Sequence, residues 1–127
     1  MLIYNTSFHV DGEALIGPFR TYMRDIYLPR ITEGGYLRNP RFVSLLTDIG
    51  EGMQGFAVMC EVDNVVELKK WRKEIGDQLM ADFHTHFGDR ILTFSTSMKE
   101  IVFWYSRLTF ESWIKYNSPE RELWATL

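Results

Sequence analysis

The chain is poor in cysteine. Cys60 is its only one, so no disulfide can form within the chain and a four-cysteine zinc ribbon is excluded. A reducing cytoplasm is the compartment this usage suits. Long apolar runs are also missing. No stretch reaches the roughly 18 residues that a transmembrane helix needs. The N-terminus, MLIYNTSFHV, has no basic leader region and carries Asn5, Thr6 and Ser7 inside it, unlike a signal peptide. Excess positive charge is absent too. The net charge is −3 and the pI is near 5.6, whereas a nucleic-acid footprint needs clustered Lys and Arg.

Apolar residues are plentiful. They make up 46% of the 127 residues, and aromatics alone 15%, enough for one well-packed domain and too much for a disordered chain. The organising stretch is Arg41 to Val62, RFVSLLTDIGEGMQGFAVMCEV. Two apolar runs flank Ile49-Gly50-Glu51-Gly52, which reads as a β-hairpin. Phe42 and Leu46 alternate against Val43, Leu45 and Ile49, and Phe56, Val58 and Cys60 against Ala57 and Met59. Both faces are apolar, so the sheet needs two covers.

Before the hairpin, Leu2, Tyr4, Phe8 and Val10 alternate with Asn5, Ser7 and His9, predicting a first strand. Gly17-Pro18 offers a helix start, and Phe19, Tyr22, Met23 and Ile26 form an apolar stripe. Pro29 should kink or end that helix, and Gly34-Gly35 should stop it. After the hairpin, Asn64 can cap a second helix with Leu68, Trp71, Ile75 and Leu79 inward and Gly88 at its end. Leu92, Phe94 and Met98 then alternate with Thr93, Ser95 and Ser97 in a fourth strand. The order βαββαβ predicts an α+β, ferredoxin-like domain over residues 1–101. It has a four-stranded antiparallel sheet, strand order 4-1-3-2, and both helices on one face.

Residues 102–127 lie outside that scheme and form an aromatic C-terminal extension. It holds Trp104, Trp113 and Trp124, and Ser118-Pro119-Glu120 predicts a short last helix. The expectation is that this tail packs on its own domain or on a partner subunit, with at least two of the three tryptophans buried.

Chemical groups are few. Asn5, Ser7 and His9 share one face of strand one, and Thr93, Ser95 and Ser97 join them if the register allows. Together they are the candidate substrate-binding set, with His9 as a weak candidate base. Their plain alternative is bonding to one another or to water, and His9 could pair with Asp11. His84 and His86 would point about 200° apart on a helix, so they make a poor metal pair, and no third ligand has matching spacing. No metal site and no cofactor are predicted. Cys60 reads as a small buried hydrophobe. Gly50-x-Gly52-x-x-Gly55 spells a dinucleotide fingerprint but sits before a strand, which is the wrong context. Glu13, Glu33 and Glu51 make no carboxylate pair by spacing.

Three groups of residues carry a resemblance: Tyr4-Asn5-Thr6-x-Phe8-x-Val10, Tyr27-Leu28-Pro29, and Phe87-Gly88 followed by Phe94-Ser95-Thr96-x-Met98. Over about residues 2 to 101 the chain resembles a family of small bacterial proteins known as a domain of unknown function. That family is similar to the dimeric α/β-barrel superfamily, in which two ferredoxin-like sheets face each other. The resemblance implies a homodimer. It leaves function open among cofactor-free monooxygenases, haem-degrading enzymes, isomerases and ligand-binding modules. The haem-degrading relatives pair a strand-one Asn with a Trp and a His on the second helix. Asn5, Trp71 and His84 supply those types, but Trp71 and His84 fall about 140° apart around a helix.

Three functions follow as expectations. The first is a homodimeric small-molecule-binding or structural module without catalysis. The second is a cofactor-independent enzyme acting on an apolar or aromatic substrate in the sheet cavity, using Asn5, His9 and Ser95. The third is a protein-interaction subunit that uses the aromatic tail. No nucleic-acid or membrane partner is expected.

Overall fold

The structure is a computed structural model and describes residues 1–101 apart from Asp48, Glu51 and Glu100. The expectations for Trp104, Trp113, Trp124 and the helix after Ser118 lie outside the described residues.

Four strands form one antiparallel sheet: β1 (Leu2–Asp11), β2 (Leu37–Ser44), β3 (Met53–Val62) and β4 (Ile91–Lys99). Their order is β2-β3-β1-β4, the predicted 4-1-3-2. Two helices join them. Helix α1 runs through Glu13–Tyr22, a π turn at Met23–Tyr27 and a last α turn, Leu28–Ile31. Helix α2 runs through Val65–Trp71, a π turn at Arg72–Gly76 and Asp77–Phe87. The molecule has the ferredoxin-like fold.

Both helices pack on one sheet face. Register puts Tyr4 beside Cys60, Thr6 beside Val58 and Phe8 beside Phe56, so these side chains share that face. Phe8 is its hub, with ring centroids 5.4 Å from Phe19, 5.5 Å from Tyr27 and 5.2 Å from Phe83. Such edge and tilted contacts add to the area term. Thr6 is the one fully buried polar residue of this core among the described residues.

The helix ends partly follow expectation. The Asn64 side chain accepts the Glu67 N–H at 2.9 Å, the predicted cap. Gly88 ends α2 at φ +66°, and Gly34 and Gly35 end α1 with positive φ. The start of α1 differs. It begins at Glu13, after Gly12, and Pro18 sits exposed inside it.

Of the two outcomes expected at Pro29, a kink or an end, the helix does not end there: an irregular π turn precedes the proline and a last α turn contains it. The Leu28 N–H reaches back to the Met23 carbonyl, one residue further than in an α turn. That wider turn relieves the clash between a proline ring and the carbonyl four residues earlier. The extra residue also rotates the stripe. Tyr27 is buried in place of the predicted Ile26, which is exposed.

The hairpin differs at its tip. β2 ends at Ser44, and Leu46, expected to continue the apolar alternation of that strand with Phe42, is 99% exposed. Leu45 and Ile49 instead fold over Gly55, where an added Cβ would meet the Leu45 Cδ1 at 2.8 Å. Only a residue without a Cβ admits that approach.

Candidate functional site

Strand register decides which predicted residues meet. Thr6 lies opposite Ser95, Phe8 opposite Thr93 and Tyr4 opposite Ser97. Thr93, Ser95 and Ser97 therefore stand on the helix-covered face. Asn5, Ser7 and His9 stand on the open face with Phe94 and Leu92 of β4. The expected six-residue set is split by the sheet. An enzyme using Asn5, His9 and Ser95 in one pocket does not fit this arrangement.

On the open face the polar groups are largely occupied with each other. The Asn5 amide donates to the Ser7 hydroxyl at 3.2 Å. His9 packs its ring against Phe94, centroids 5.1 Å apart, rather than pairing with Asp11. Around them the surface is apolar. Ile3, Val43 and Met59 are half-buried, while Leu92, Phe94 and Met98 are 47%, 53% and 39% exposed.

On the helix face, β4 and α2 diverge and leave a cleft of about 260 Å³. Tyr4, Trp71 and Met80 form its apolar walls, Ser95 and Ser97 line β4, and Arg72 and Asp77 flank it. Trp71 is fixed from three sides. Its indole N–H donates to the Ile31 carbonyl at 2.9 Å, satisfying one of the carbonyls left over at the end of α1. Tyr4 meets it edge-on, with ring centroids 5.3 Å apart. Gly76, in the α2 π turn, lies under the ring, and an added Cβ would come within 2.5 Å of it.

Ser95 shares a 3.1 Å hydrogen bond with the buried Thr6 hydroxyl. The Tyr27 hydroxyl, also buried, has no hydrogen bond of ordinary geometry. Burial holds its phenol well above the usual tyrosine range, and the Thr6 hydroxyl acts in the opposite direction. Sequence reasoning missed Tyr27, although its position four residues after Met23 on an apolar stripe was visible.

The other candidates separate as their spacing indicated. His84 bonds Thr93 at 3.1 Å, whereas His86 lies against Tyr22, centroids 4.9 Å apart. Among the described residues no group of three or more His, Cys, Asp or Glu could hold a metal. Asn5 is across the sheet from Trp71 and His84, so those three do not form a haem-degrading triad. Cys60 is buried, and burial pushes its thiol up to about 11, far from a nucleophile's range. Gly50, Gly52 and Gly55 belong to the hairpin end and lead into or lie in strand β3 rather than a helix N-terminus that could receive a phosphate.

A family model described as a domain of unknown function, DUF4286, matches residues 1–101. The chain belongs to that family. No curated protein matches it in sequence. Solved structures share its fold. An ethyl tert-butyl ether d family protein from Bacillus halodurans is 13% identical, with TM-score 0.60 over 80% of this chain and 100% of its own. HapK from Hahella chejuensis is 6% identical, with TM-score 0.61 over 84% and 98%. A dimeric ferredoxin-like protein from an uncultured marine organism is 11% identical, with TM-score 0.59 over 84% and 100%. At these identities the likeness shows the fold alone. No described helix is long and apolar enough to cross a membrane.

Proposed function

We propose that this DUF4286 chain is a homodimeric small-molecule-binding module. Its subunits meet through the open faces of their sheets, and each holds a compact ligand in the cleft between β4 and α2. One observation carries the dimer: Leu92, Phe94 and Met98 stand exposed together on the face that neither helix covers. Burying side chains of this size contributes roughly 1.5–3 kcal/mol each, and contiguous apolar patches of this kind mark interaction sites. The solved ferredoxin-like neighbour described as dimeric supports a dimer as such.

The cleft suits a ligand with an apolar body and one hydrogen-bonding oxygen. Tyr4, Trp71 and Met80 would enclose the body, and Ser95 or Ser97 would meet the oxygen. Its volume sits just below the range of roughly 300–1,000 Å³ typical of drug-sized ligands, which limits the occupant to one or two rings.

Sedimentation of the full chain at micromolar concentration tests the dimer. The expected species is a dimer that Phe94→Glu converts to monomer. A monomeric native chain refutes the sheet-to-sheet contact. Native mass spectrometry tests the cleft: a co-purified small molecule should be lost in Ser97→Phe, which fills the space. A molecule retained at full occupancy in that variant would place the ligand elsewhere.

A further inference from the structure

A second concave region lies at the opposite edge of the sheet. There α1 leaves the β2 border of the helix face uncovered. The gap is a trough of about 300 Å³ lined by Ile16, Arg20, Phe42, Ser44, Gln54 and Phe56. At Arg20 and Phe42 it meets an open groove of about 550 Å³ that runs along α1 past Thr21 and Leu28. The floor is aromatic: Phe42 and Phe56 stack with centroids 5.8 Å apart, and Phe19 closes on Phe56 at 5.0 Å.

Charge is what distinguishes this trough from an ordinary apolar groove. Among the described residues the arginines at 24, 30 and 38 each have a carboxylate partner, Asp25, Asp82 and Asp63 respectively, whereas those at 20, 41, 72 and 90 form no ion pair. Among the described residues Arg20 has neither an ion pair nor a hydrogen bond. Arg20 is exposed to water and lines the trough with Ile16, Phe42 and Phe56. Arg24, the other cation along the groove, is held by Asp25 at 2.7 and 3.0 Å. Of the two cations along this trough and groove, Arg20 alone is uncompensated among the described residues. Beside it, Ser44 accepts a hydrogen bond from the Gln54 amide at 3.0 Å, which leaves its own hydroxyl hydrogen to donate outward.

We propose that this trough is a second ligand site, taking a monocarboxylate with an apolar chain or ring. The Arg20 fork pairs with the carboxylate, the Ser44 hydroxyl donates to it, and Phe42 and Phe56 receive the apolar body. A phosphate fits less well, because its charge exceeds what a single free guanidinium answers. The chain's net charge of −3 gives anions no general attraction to it, so any anion selectivity is local to Arg20. The site is independent of the β4–α2 cleft, with which it shares no residue.

Isothermal titration of the full chain with sodium octanoate and with 1-octanol tests the assignment. Octanoate should bind saturably and roughly tenfold more tightly than octanol, the factor a charge-assisted hydrogen bond supplies. Arg20→Gln, an exposed position whose change leaves the core intact, should bring octanoate down to the octanol level. Ser97→Phe, in the other cleft, should leave octanoate binding unchanged. Equal affinity for acid and alcohol, full octanoate binding by Arg20→Gln, or no saturable binding would each overturn the proposal. Loss of octanoate binding in Ser97→Phe alone would assign the acid to the other cleft.

Discussion

Replacing Gly76 by alanine should destabilise the protein, although alanine is the better helix former. In an open helix the exchange gains about 0.8–1 kcal/mol. Here the new Cβ would lie 2.5 Å from one Trp71 ring atom and 2.8 Å from two others. The ring cannot step aside freely. It is buried, its N–H is bound to Ile31 at 2.9 Å, and Tyr4 meets it edge-on. Overpacking a core of this kind costs about 1–3 kcal/mol. Displacing the indole also breaks its hydrogen bond, worth about 0.5–1.5 kcal/mol, and leaves the Ile31 carbonyl without that partner. The net expectation is a loss of about 1–3 kcal/mol. Urea unfolding followed by far-UV circular dichroism measures it as a lower midpoint at unchanged slope. Trp71→Leu combined with Gly76→Ala should show strong coupling, because the smaller side chain removes the clash. A Gly76→Ala protein as stable as the native chain, or more stable, would refute this account of the π turn. It would also remove the reason offered for glycine there.

Tyr27→Phe should stabilise the fold by about 1 kcal/mol or more, because it removes a buried hydroxyl without a hydrogen bond; a destabilised variant in urea unfolding would reveal a partner for that oxygen. Cys60 should stay unreactive toward a thiol reagent in the native protein and react at the rate of unfolding. Its thiol is raised from about 9 to about 11, so its contribution is whole below pH 9 and lost as pH climbs toward 11. A flat stability profile over that window in native chain and Cys60→Val alike contradicts this. Asp82 moves the other way. The Arg30 hydrogen bond, then that of Gln78, holds its carboxyl below the ordinary range. Its support is present at neutral pH and disappears as pH falls through the lowered value, so Asp82→Asn should soften the acid limb of a pH–melting curve. An unchanged acid limb would show that the Arg30–Asp82 link contributes nothing measurable, as many exposed pairs do.

Local chemistry in the sequence determined much of this protein. The alternation in Leu2 to Val10 and Ile91 to Met98, the glycines between Leu45 and Phe56, the Asn64 cap and the Gly88 stop are signals read within a few residues. With right-handed crossovers they lead to the sheet order found. The candidate site was less legible. Alternation says that Asn5, Ser7 and His9 share a side, and that Thr93, Ser95 and Ser97 share a side. It does not relate the two sides to each other. That relation is a register, set by the Thr6–Ser95 pairing across the sheet, and a shift of one residue would have exchanged the faces. The π turns were hidden for a similar reason. A helical stripe is read at 3.6 residues per turn, and nothing local announces the extra residue at Met23–Tyr27 or Arg72–Gly76. Tertiary packing decided those turns, by bringing Tyr27 under Phe8 and laying the Trp71 ring on Gly76. What a few neighbouring residues can satisfy was written in the sequence. What depends on the fit between distant surfaces waited for the fold.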